Sequence, residues 1–300
     1  MDLIVIGAGV AGLTAAKAAA ERGLKVACIE SMMPGGLIIN INELDPALPG
    51  RTHAGCDLAA ELMTEAMEAG VASIADVVTG VKRDDAALTD VALTVVCVGG
   101  ENRANAVIIA TGASLKPLGI PGEAEFENRG VAHCADCDGP MSRGKEAVVI
   151  GGGDSALQEA LVLSGYCNRV HLIYRKSAPS ANARLIEAVT QRSNIARRPG
   201  TIVEKISGDG AGVTGVVVRS AGANAAQTIP CHGVFAYVGL AANIGFLPPE
   251  IARDASGRIT TDAQFKTSMP GVIAAGAVRA GCGGLIADAA DEGARAAASV

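Results

Sequence analysis

The sequence is poor in aromatic residues and has no excess of positive charge. Among its 300 residues there are four Phe, three Tyr and no Trp, and the formal net charge is −6. Surfaces that bind nucleic acid are usually basic, with clustered Lys and Arg, and this sequence has no such cluster. We therefore expect no nucleic-acid partner.

Long apolar runs and an export signal are missing as well. No run of about 18 to 20 apolar residues occurs, so we expect no membrane-spanning helix and no membrane partner. Residues 1–7 carry no basic segment and lead directly into a glycine motif, which indicates a strand and not a signal peptide. The eight cysteines are therefore expected to be mostly reduced thiols of a cytoplasmic protein.

Glycine and small aliphatic residues are abundant. The chain has 38 glycines and is 49% hydrophobic, which is typical of a globular α/β protein and not of a disordered chain or a coiled coil. A length of 300 residues allows two domains of ordinary size.

An internal repeat is the strongest feature of the sequence. A short apolar strand over residues 2–6 leads into a glycine motif, a helical stretch to about Arg22 and a second strand that ends at Glu30. Residues 146–176 repeat this order. The first motif consists of Gly7, Ala8, Gly9, Val10, Ala11 and Gly12, and the second of Gly151, Gly152, Gly153, Asp154, Ser155 and Ala156.

Glycine has three uses at such a strand-to-helix turn. The first glycine permits the tight turn, and the second lets the backbone approach a pyrophosphate. The third, which is Ala156 in the second copy, keeps the helix close to the sheet. The free N–H groups of the helix N-terminus then bind the phosphates. The two motifs predict two nucleotide sites; the alternative is a pair of tight glycine turns in an ordinary α/β domain.

The ends of the second strands distinguish the two sites. Glu30 lies 18 residues after Gly12, where a carboxylate accepts hydrogen bonds from adenosine ribose hydroxyls. At the same distance from the second motif, Tyr174 is followed by Arg175 and Lys176, two cations suited to a 2′-phosphate. We predict FAD at the first site and NADPH at the second, with NADH as the alternative donor. Alternatively, the two cations belong to a solvated basic strand end without a ligand.

Further runs along the chain indicate the domain boundaries. Residues 106–112, 233–239 and 271–276 have strand character, residues 116–122 form a connector rich in Pro and Gly, and residues 284–298 are helical. The economical arrangement inserts a domain of residues 115–236 into another made of residues 1–114 and 237–300. We predict an α/β fold with two Rossmann-like, three-layer (ββα) nucleotide-binding domains.

A pair of cysteines, Cys134 and Cys137, stands directly before the second nucleotide unit. Two cysteines with two residues between them can form a readily reduced disulfide. Asp138 follows at once and can transfer the proton that thiol–disulfide exchange requires. A nicotinamide delivers a hydride, a flavin accepts it and a disulfide takes up the same two electrons, so these parts together predict a disulfide oxidoreductase.

Zinc binding and burial in a core are the competing roles for this pair. A structural zinc site needs four ligands, yet no second C-x-x-C exists and only His133 stands near. Free cysteines are also often buried in a core. For the remaining six cysteines we favour burial in the core. Cys282 lies in a glycine-rich turn, and for this residue we leave a functional role open.

The chain resembles the low-molecular-weight thioredoxin reductases over nearly its full length. The resemblance rests on both glycine motifs, on Glu30 and on the cysteine segment, where the family has Cys-Ala-Thr-Cys-Asp-Gly and this chain differs only at Asp136. It extends to the strand at residues 271–276. It also covers the pair Gly35 and Gly36 and the segment Ala110, Thr111 and Gly112.

The resemblance implies an enzyme, in its family usually a homodimer, that reduces a thioredoxin-like protein or a small disulfide with NADPH and FAD, with one domain rotating relative to the other. It implies that Cys137 faces the flavin, that Cys134 attacks the substrate disulfide and that Asp138 is the acid/base. The FAD residues are expected to be Gly7, Gly9, Val10, Ala11, Gly12, Glu30, Gly35, Gly36, Ala110, Thr111, Gly112, Gly276 and Ala277. The NADPH residues are expected to be Gly151, Gly153, Asp154, Ser155, Ala156, Tyr174, Arg175 and Lys176.

The chain departs from the family pattern at several cofactor positions. Ala277 replaces an aspartate, Leu37 a glutamine, residues 284–286 the segment Arg-Gln-Ala, and Ser180 the last arginine of the NADPH signature. Since one lost hydrogen bond to a charged group costs about 1.5–3 kcal/mol, we expect weaker FAD binding and a less strict preference for NADPH. The alternatives are a dithiol oxidase that uses oxygen without a nicotinamide and a degenerate flavin-binding redox sensor.

Overall fold

Strands and helices alternate along the chain, as the repeated strand–glycine–helix pattern predicts. The computed structural model describes residues 1–41, 43–83, 93–223 and 225–300. In these ranges the α-helices are α1 (Val10–Glu21), α2 (Gly55–Glu68), α3 (Ala135–Asp138), α4 (Asp154–Ser164), α5 (Ala183–Gln191) and α6 (Ile286–Ala298). The strands are β1 (Leu3–Ile6), β2 (Val26–Glu30), β3 (Ala72–Ala75), β4 (Val78–Arg83), β5 (Leu93–Cys97), β6 (Gly100–Ala104), β7 (Ala106–Ile109), β8 (Ala113–Leu115), β9 (Val131–Ala132), β10 (Glu146–Ile150), β11 (Arg169–Tyr174), β12 (Ile195–Pro199), β13 (Thr201–Asp209), β14 (Gly212–Ser220), β15 (Gln227–Pro230), β16 (Gly233–Ala236), β17 (Leu240–Ala242) and β18 (Val272–Ala274).

The chain divides into two compact units. Unit 1 consists of Met1–Ser114 and Ala241–Val300, and unit 2 of Leu115–Leu240. The sequence-based boundary stood after residue 236, whereas residues 237–240 lie with unit 2. There the Tyr237 hydroxyl donates to the Glu159 carboxylate at 2.8 Å. The apolar sequence pattern ends with the buried strand, so the predicted boundary was placed there. Such a pattern does not show a side-chain contact like the one that holds Tyr237 in unit 2.

Unit 1 is built on a parallel sheet in the order β18-β7-β1-β2-β3. Its inner strands are apolar on both faces, as parallel strands covered on two sides must be. Leu3 and Val5 pack in a core with α1, α2 and α6. Ile4 and Ile6, which point to the opposite face, pack in a core with the antiparallel sheet β4-β5-β6. The unit therefore has the predicted ββα layers.

Unit 2 repeats this architecture. Its parallel sheet has the order β12-β11-β10-β16-β9, and the antiparallel sheet β13-β14-β15 forms the second layer. Val149 packs in a core with Leu157 and Leu163 of α4. Val148, on the other face of β10, packs in a core with Val216 of β14. The predicted fold class, two Rossmann-like ββα domains with one inserted into the other, is confirmed.

In each unit, a backbone hydrogen bond joins the two segments through which the chain passes to the other unit. In unit 2, the Lys116 N–H donates to the Gly239 carbonyl at 2.9 Å. In unit 1, the Asn243 N–H donates to the Gly112 carbonyl at 3.1 Å. No helix in the described part of the chain combines the length and the apolar character that crossing a membrane requires.

Candidate active site

The first glycine motif forms the turn between β1 and α1. Gly7 has a φ of 100°, and a Cβ there would lie 2.6 Å from the Ala110 carbonyl oxygen. At Gly12 a Cβ would lie 1.9 Å from the Gly7 carbonyl oxygen, whereas at Gly9 it would meet nothing closer than 3.9 Å. The protein itself therefore fills the space at the first and third glycines. The middle glycine leaves room at the start of α1, whose N-terminus is not capped by the side chain of its N-cap residue, and this fits a pyrophosphate.

Other predicted FAD residues surround this turn. The Gly35 N–H donates to the Ala8 carbonyl at 2.7 Å, and the Ala110 N–H donates to the Ile6 carbonyl at 2.8 Å. Glu30, at the end of β2, accepts a hydrogen bond from the Ala8 N–H at 2.8 Å. Gly36, Thr111 and Gly112 follow on the same two segments. All of them lie at the edge where the parallel strands of unit 1 end.

The C-terminal residues of the predicted FAD set reach the same turn. Gly276 has a φ of 77°, and a Cβ there would lie 2.7 Å from the Ala11 side chain. Its N–H donates to the buried Glu292 carboxylate at 2.8 Å, and Arg279 also bonds this carboxylate. Ala277 comes next and brings only a methyl group, so unit 1 has no carboxylate at this position.

The second glycine motif forms the equivalent turn between β10 and α4. Gly151 has a φ of 146°, and a Cβ there would lie 2.3 Å from a backbone carbonyl oxygen. Gly153 has nothing within 4 Å of a Cβ position, while Ala156, which stands at the position of the third glycine, is fully buried. Asp154 and Ser155 begin α4 and are exposed. The space beside this turn also fits a pyrophosphate, although Asp154 adds a negative charge there.

The predicted 2′-phosphate residues follow β11. Tyr174 is buried beside the second turn, and Arg175 and Lys176 are exposed. The chain then folds back, so that the Ser180 N–H donates to the Gly152 carbonyl at 2.7 Å. Two cations and a serine thus stand next to the turn.

The cysteine pair forms a disulfide around the short helix α3. Cys134 is the N-cap of this helix, its Cα lies 5.4 Å from that of Cys137, and its Sγ accepts a hydrogen bond from the Cys137 N–H at 3.2 Å. Cys134 is buried, whereas Cys137 is exposed and Asp138, half-buried, ends the helix. Because this segment follows β9, the dithiol lies at the same sheet edge as the second glycine turn.

The other groups that could carry chemistry are clusters of metal ligands and the cysteines outside the dithiol. No group of three His, Cys, Asp or Glu side chains there is placed to hold a metal ion. His133 pairs with Glu127 at 3.0 Å. Five of the six other cysteines are buried and only Cys56 is exposed. Burial raises the pKa of the Cys28 and Cys231 thiols to about 12, which makes them poor nucleophiles.

Two residues that the sequence analysis missed lie behind the dithiol. Glu159 on α4 accepts hydrogen bonds from the Ala135 N–H at 2.6 Å and from the Tyr237 hydroxyl at 2.8 Å. A signal was present for Glu159, since it stands three residues after Ala156 and four before Leu163, both fully buried. A carboxylate on the buried face of a helix indicates a specific partner.

The chain as a whole is similar to known proteins. A family model described as pyridine nucleotide-disulphide oxidoreductase matches residues 1–293. The chain belongs to this family. It is 36% identical to the thioredoxin reductase of Treponema pallidum (strain Nichols) over 281 residues, which cover 93% of this chain and 89% of that protein.

Solved structures agree with this assignment. The chain matches the crystal structure of Lactococcus lactis thioredoxin reductase with a TM-score of 0.93, 32% identity and coverage of 99% of this chain and 96% of that one. It matches the T. acidophilum thioredoxin reductase with a TM-score of 0.91 and 32% identity, over 99% of this chain and 96% of that one. The predicted family and enzyme class are confirmed: this is a disulfide oxidoreductase of the thioredoxin reductase type, a class that works with a flavin and a nicotinamide.

Proposed function

We propose that this enzyme transfers electrons from NADPH through FAD to the Cys134–Cys137 disulfide and on to the disulfide of a thioredoxin-like protein. The observation that carries the proposal is the position of the dithiol, which shares a sheet edge with the second glycine turn of unit 2. We further propose a cytoplasmic location, supported by the free thiols outside this pair. The homodimer stays a prediction.

FAD is assigned to unit 1 and NADPH to unit 2. Gly9 and Gly153 leave the room that a pyrophosphate needs, at the starts of α1 and α4. Glu30 is placed to accept from ribose hydroxyls, since it already bonds the first turn. Arg175 is exposed next to the second turn, where a 2′-phosphate would lie. The chemistry that the two bound cofactors supply is the delivery of one electron pair to the disulfide.

The residues of unit 2 then carry out thiol–disulfide exchange. The electron pair and two protons convert the disulfide into two thiols. The Cys134 thiolate attacks one sulfur of the substrate disulfide and releases the other as a thiolate, forming a mixed disulfide. Attack by the Cys137 thiolate on Cys134 releases the second substrate thiol and restores the internal disulfide. Asp138 transfers the protons that the thiols lose and gain.

The geometry of α3 supports Cys134 as the attacking sulfur. Its Sγ caps the helix by accepting the Cys137 N–H at 3.2 Å, and this contact stabilises a thiolate. Because Cys134 is buried in this structure, the attack also requires that its sulfur become accessible.

An anaerobic titration of the purified flavoprotein tests the proposal. NADPH is expected to bleach the flavin absorbance and to make Cys134 and Cys137 accessible to alkylation, and a thioredoxin-like disulfide is expected to restore the colour. In Cys137→Ser the flavin should still be reduced, but the substrate should no longer reoxidise it catalytically. Flavin that stays oxidised with both NADPH and NADH contradicts the proposal.

A dithiol oxidase that needs no nicotinamide is the second candidate. It is favoured by Ser180, which occupies the position of an arginine in the family. Oxygen uptake that requires an added dithiol and proceeds without a nicotinamide would support this candidate.

A further inference from the structure

A carboxylate lies directly behind the dithiol turn of unit 2. One oxygen of Glu159, Oε2, accepts a hydrogen bond from the Ala135 N–H at 2.6 Å and another from the Tyr237 hydroxyl at 2.8 Å. Ala135 is fully buried and Tyr237 is 8% exposed. Two buried donors, one of them from the residue next to Cys134, therefore fix the position of this carboxylate.

The contact with Ala135 acts on the helix that carries the sulfurs. A helix leaves its first N–H groups without partners inside the helix, and α3 has only four residues. Glu159 satisfies the first of these groups and so holds the turn in place. It also brings a negative charge to the end of the helix where a Cys134 thiolate would be stabilised.

The surroundings of Glu159 act on its charge in opposite directions. Burial raises the pKa of Glu159 and the charge of Asp136 raises it further, while the hydrogen bonds from Ala135 and Tyr237 lower it, and the net direction is upward. Burial also raises the pKa of Tyr237, as do the carboxylates of Glu159, Asp138 and Asp136. Tyr237 consequently stays protonated and remains a donor.

We propose that Glu159, oriented by Tyr237, is a positioning residue that fixes the first turn of the dithiol helix and restrains ionisation of the reduced Cys134–Cys137 pair. The inference rests on the proposed function, in which this pair is the working dithiol. An ionised Glu159 repels a thiolate on the adjacent turn. It thereby keeps the reduced pair as neutral thiols and limits reaction with small oxidants in solution.

The pH dependence of alkylation tests this directly. The reduced full-length flavoprotein is treated with iodoacetamide over a pH series, and modification of the peptide with Cys134 and Cys137 is followed by mass spectrometry. Glu159→Gln keeps an acceptor for the Ala135 N–H but removes the charge. We expect the midpoint of the profile to fall by about one pH unit. The control Glu187→Gln, an equal change on α5, should leave the midpoint at its wild-type value.

A second variant covers the case in which Glu159→Gln does not fold. Tyr237→Phe removes one donor to Glu159, which then stays protonated to higher pH, so alkylation at neutral pH should become about two- to threefold faster. Wild-type midpoints and rates in every variant that folds would overturn the proposal and assign Glu159 a purely structural role. The assay uses neither a nicotinamide nor a protein substrate, so its outcome is independent of whether the proposed electron donor and partner are correct.

Discussion

The middle glycine of the first turn provides a sharp test of the FAD assignment. In Gly9→Ala the new Cβ has no neighbour closer than 3.9 Å, and the φ of −78° at this position suits alanine. The folded chain should therefore keep its stability or gain about 0.4–1 kcal/mol, because alanine has less freedom than glycine in the unfolded chain. The methyl group would nevertheless stand where a pyrophosphate approaches the backbone.

The methyl group would displace the pyrophosphate from the backbone, and the expected loss of FAD affinity follows from this displacement. Loss of one hydrogen bond to a charged phosphate costs about 1.5–3 kcal/mol. At about 1.4 kcal/mol per factor of ten, the dissociation constant of FAD should rise about 10- to 100-fold. Flavin-free protein is titrated with FAD by fluorescence, and thermal unfolding of the flavin-free form is measured in parallel.

Gly80→Ala is the matched control for this substitution. Gly80 lies on β4 in unit 1, where a Cβ would also meet nothing closer than 3.9 Å, and it is not a neighbour in the chain of any predicted FAD residue. It should leave FAD affinity unchanged. If Gly9→Ala binds FAD as tightly as this control, the assignment of the pyrophosphate to the first turn is wrong. A large loss of stability in the flavin-free form would refute the steric reasoning instead.

Three further predictions address the donor, the sulfurs and the surface charge. Arg175→Ala should raise the KM for NADPH about tenfold and leave the KM for NADH unchanged in steady-state kinetics, because it removes a partner of the 2′-phosphate; equal effects on both would contradict this role. Cys137→Ser should accumulate a mixed disulfide between Cys134 and a thioredoxin-like substrate in mass spectrometry, and the reverse pattern, with trapping only in Cys134→Ser, would exchange the two roles. The hydrogen bond from Arg51 helps to lower the pKa of Glu65 from 4.5 to about 2, so this carboxylate contributes stability above pH 4.5 that is lost as the pH falls towards 2. Glu65→Gln should therefore lower the free energy of unfolding by about 1 kcal/mol at neutral pH in urea titrations, and a deficit that persists near pH 2 would refute the ionic origin of this stability.

The framework of the fold could be predicted because its signals are local. Apolar runs of four to six residues next to glycine motifs marked β1, β2, β10 and β11 closely, and Glu30 and Tyr174 stand at the strand ends as expected. A motif such as Gly7 to Gly12 needs only neighbouring residues to specify its turn. The assignment of these residues to FAD or NADPH remains a prediction.

The contacts behind the dithiol could not be predicted in the same way. Tyr237 and Glu159 are 78 residues apart in the chain, and Glu159 and Ala135 are 24 apart. Nothing in the local pattern of any of the three segments specifies the other two. They come together only because the parallel order of β9, β16 and β10 brings the ends of distant segments to one edge.

The hydrogen bonds that join the chain ends within each unit bear on how such an enzyme can be rearranged. Lys116 meets Gly239 in unit 2, and Gly112 meets Asn243 in unit 1. Each unit therefore has its entry and exit strands side by side, the geometry that tolerates excision, circular permutation or exchange of a domain. The dithiol and the proposed donor site both lie in unit 2 and would be transferred together in such an exchange. A graft of residues 115–240 onto another flavin-binding scaffold is thus expected to transfer the thiol–disulfide exchange activity as one unit.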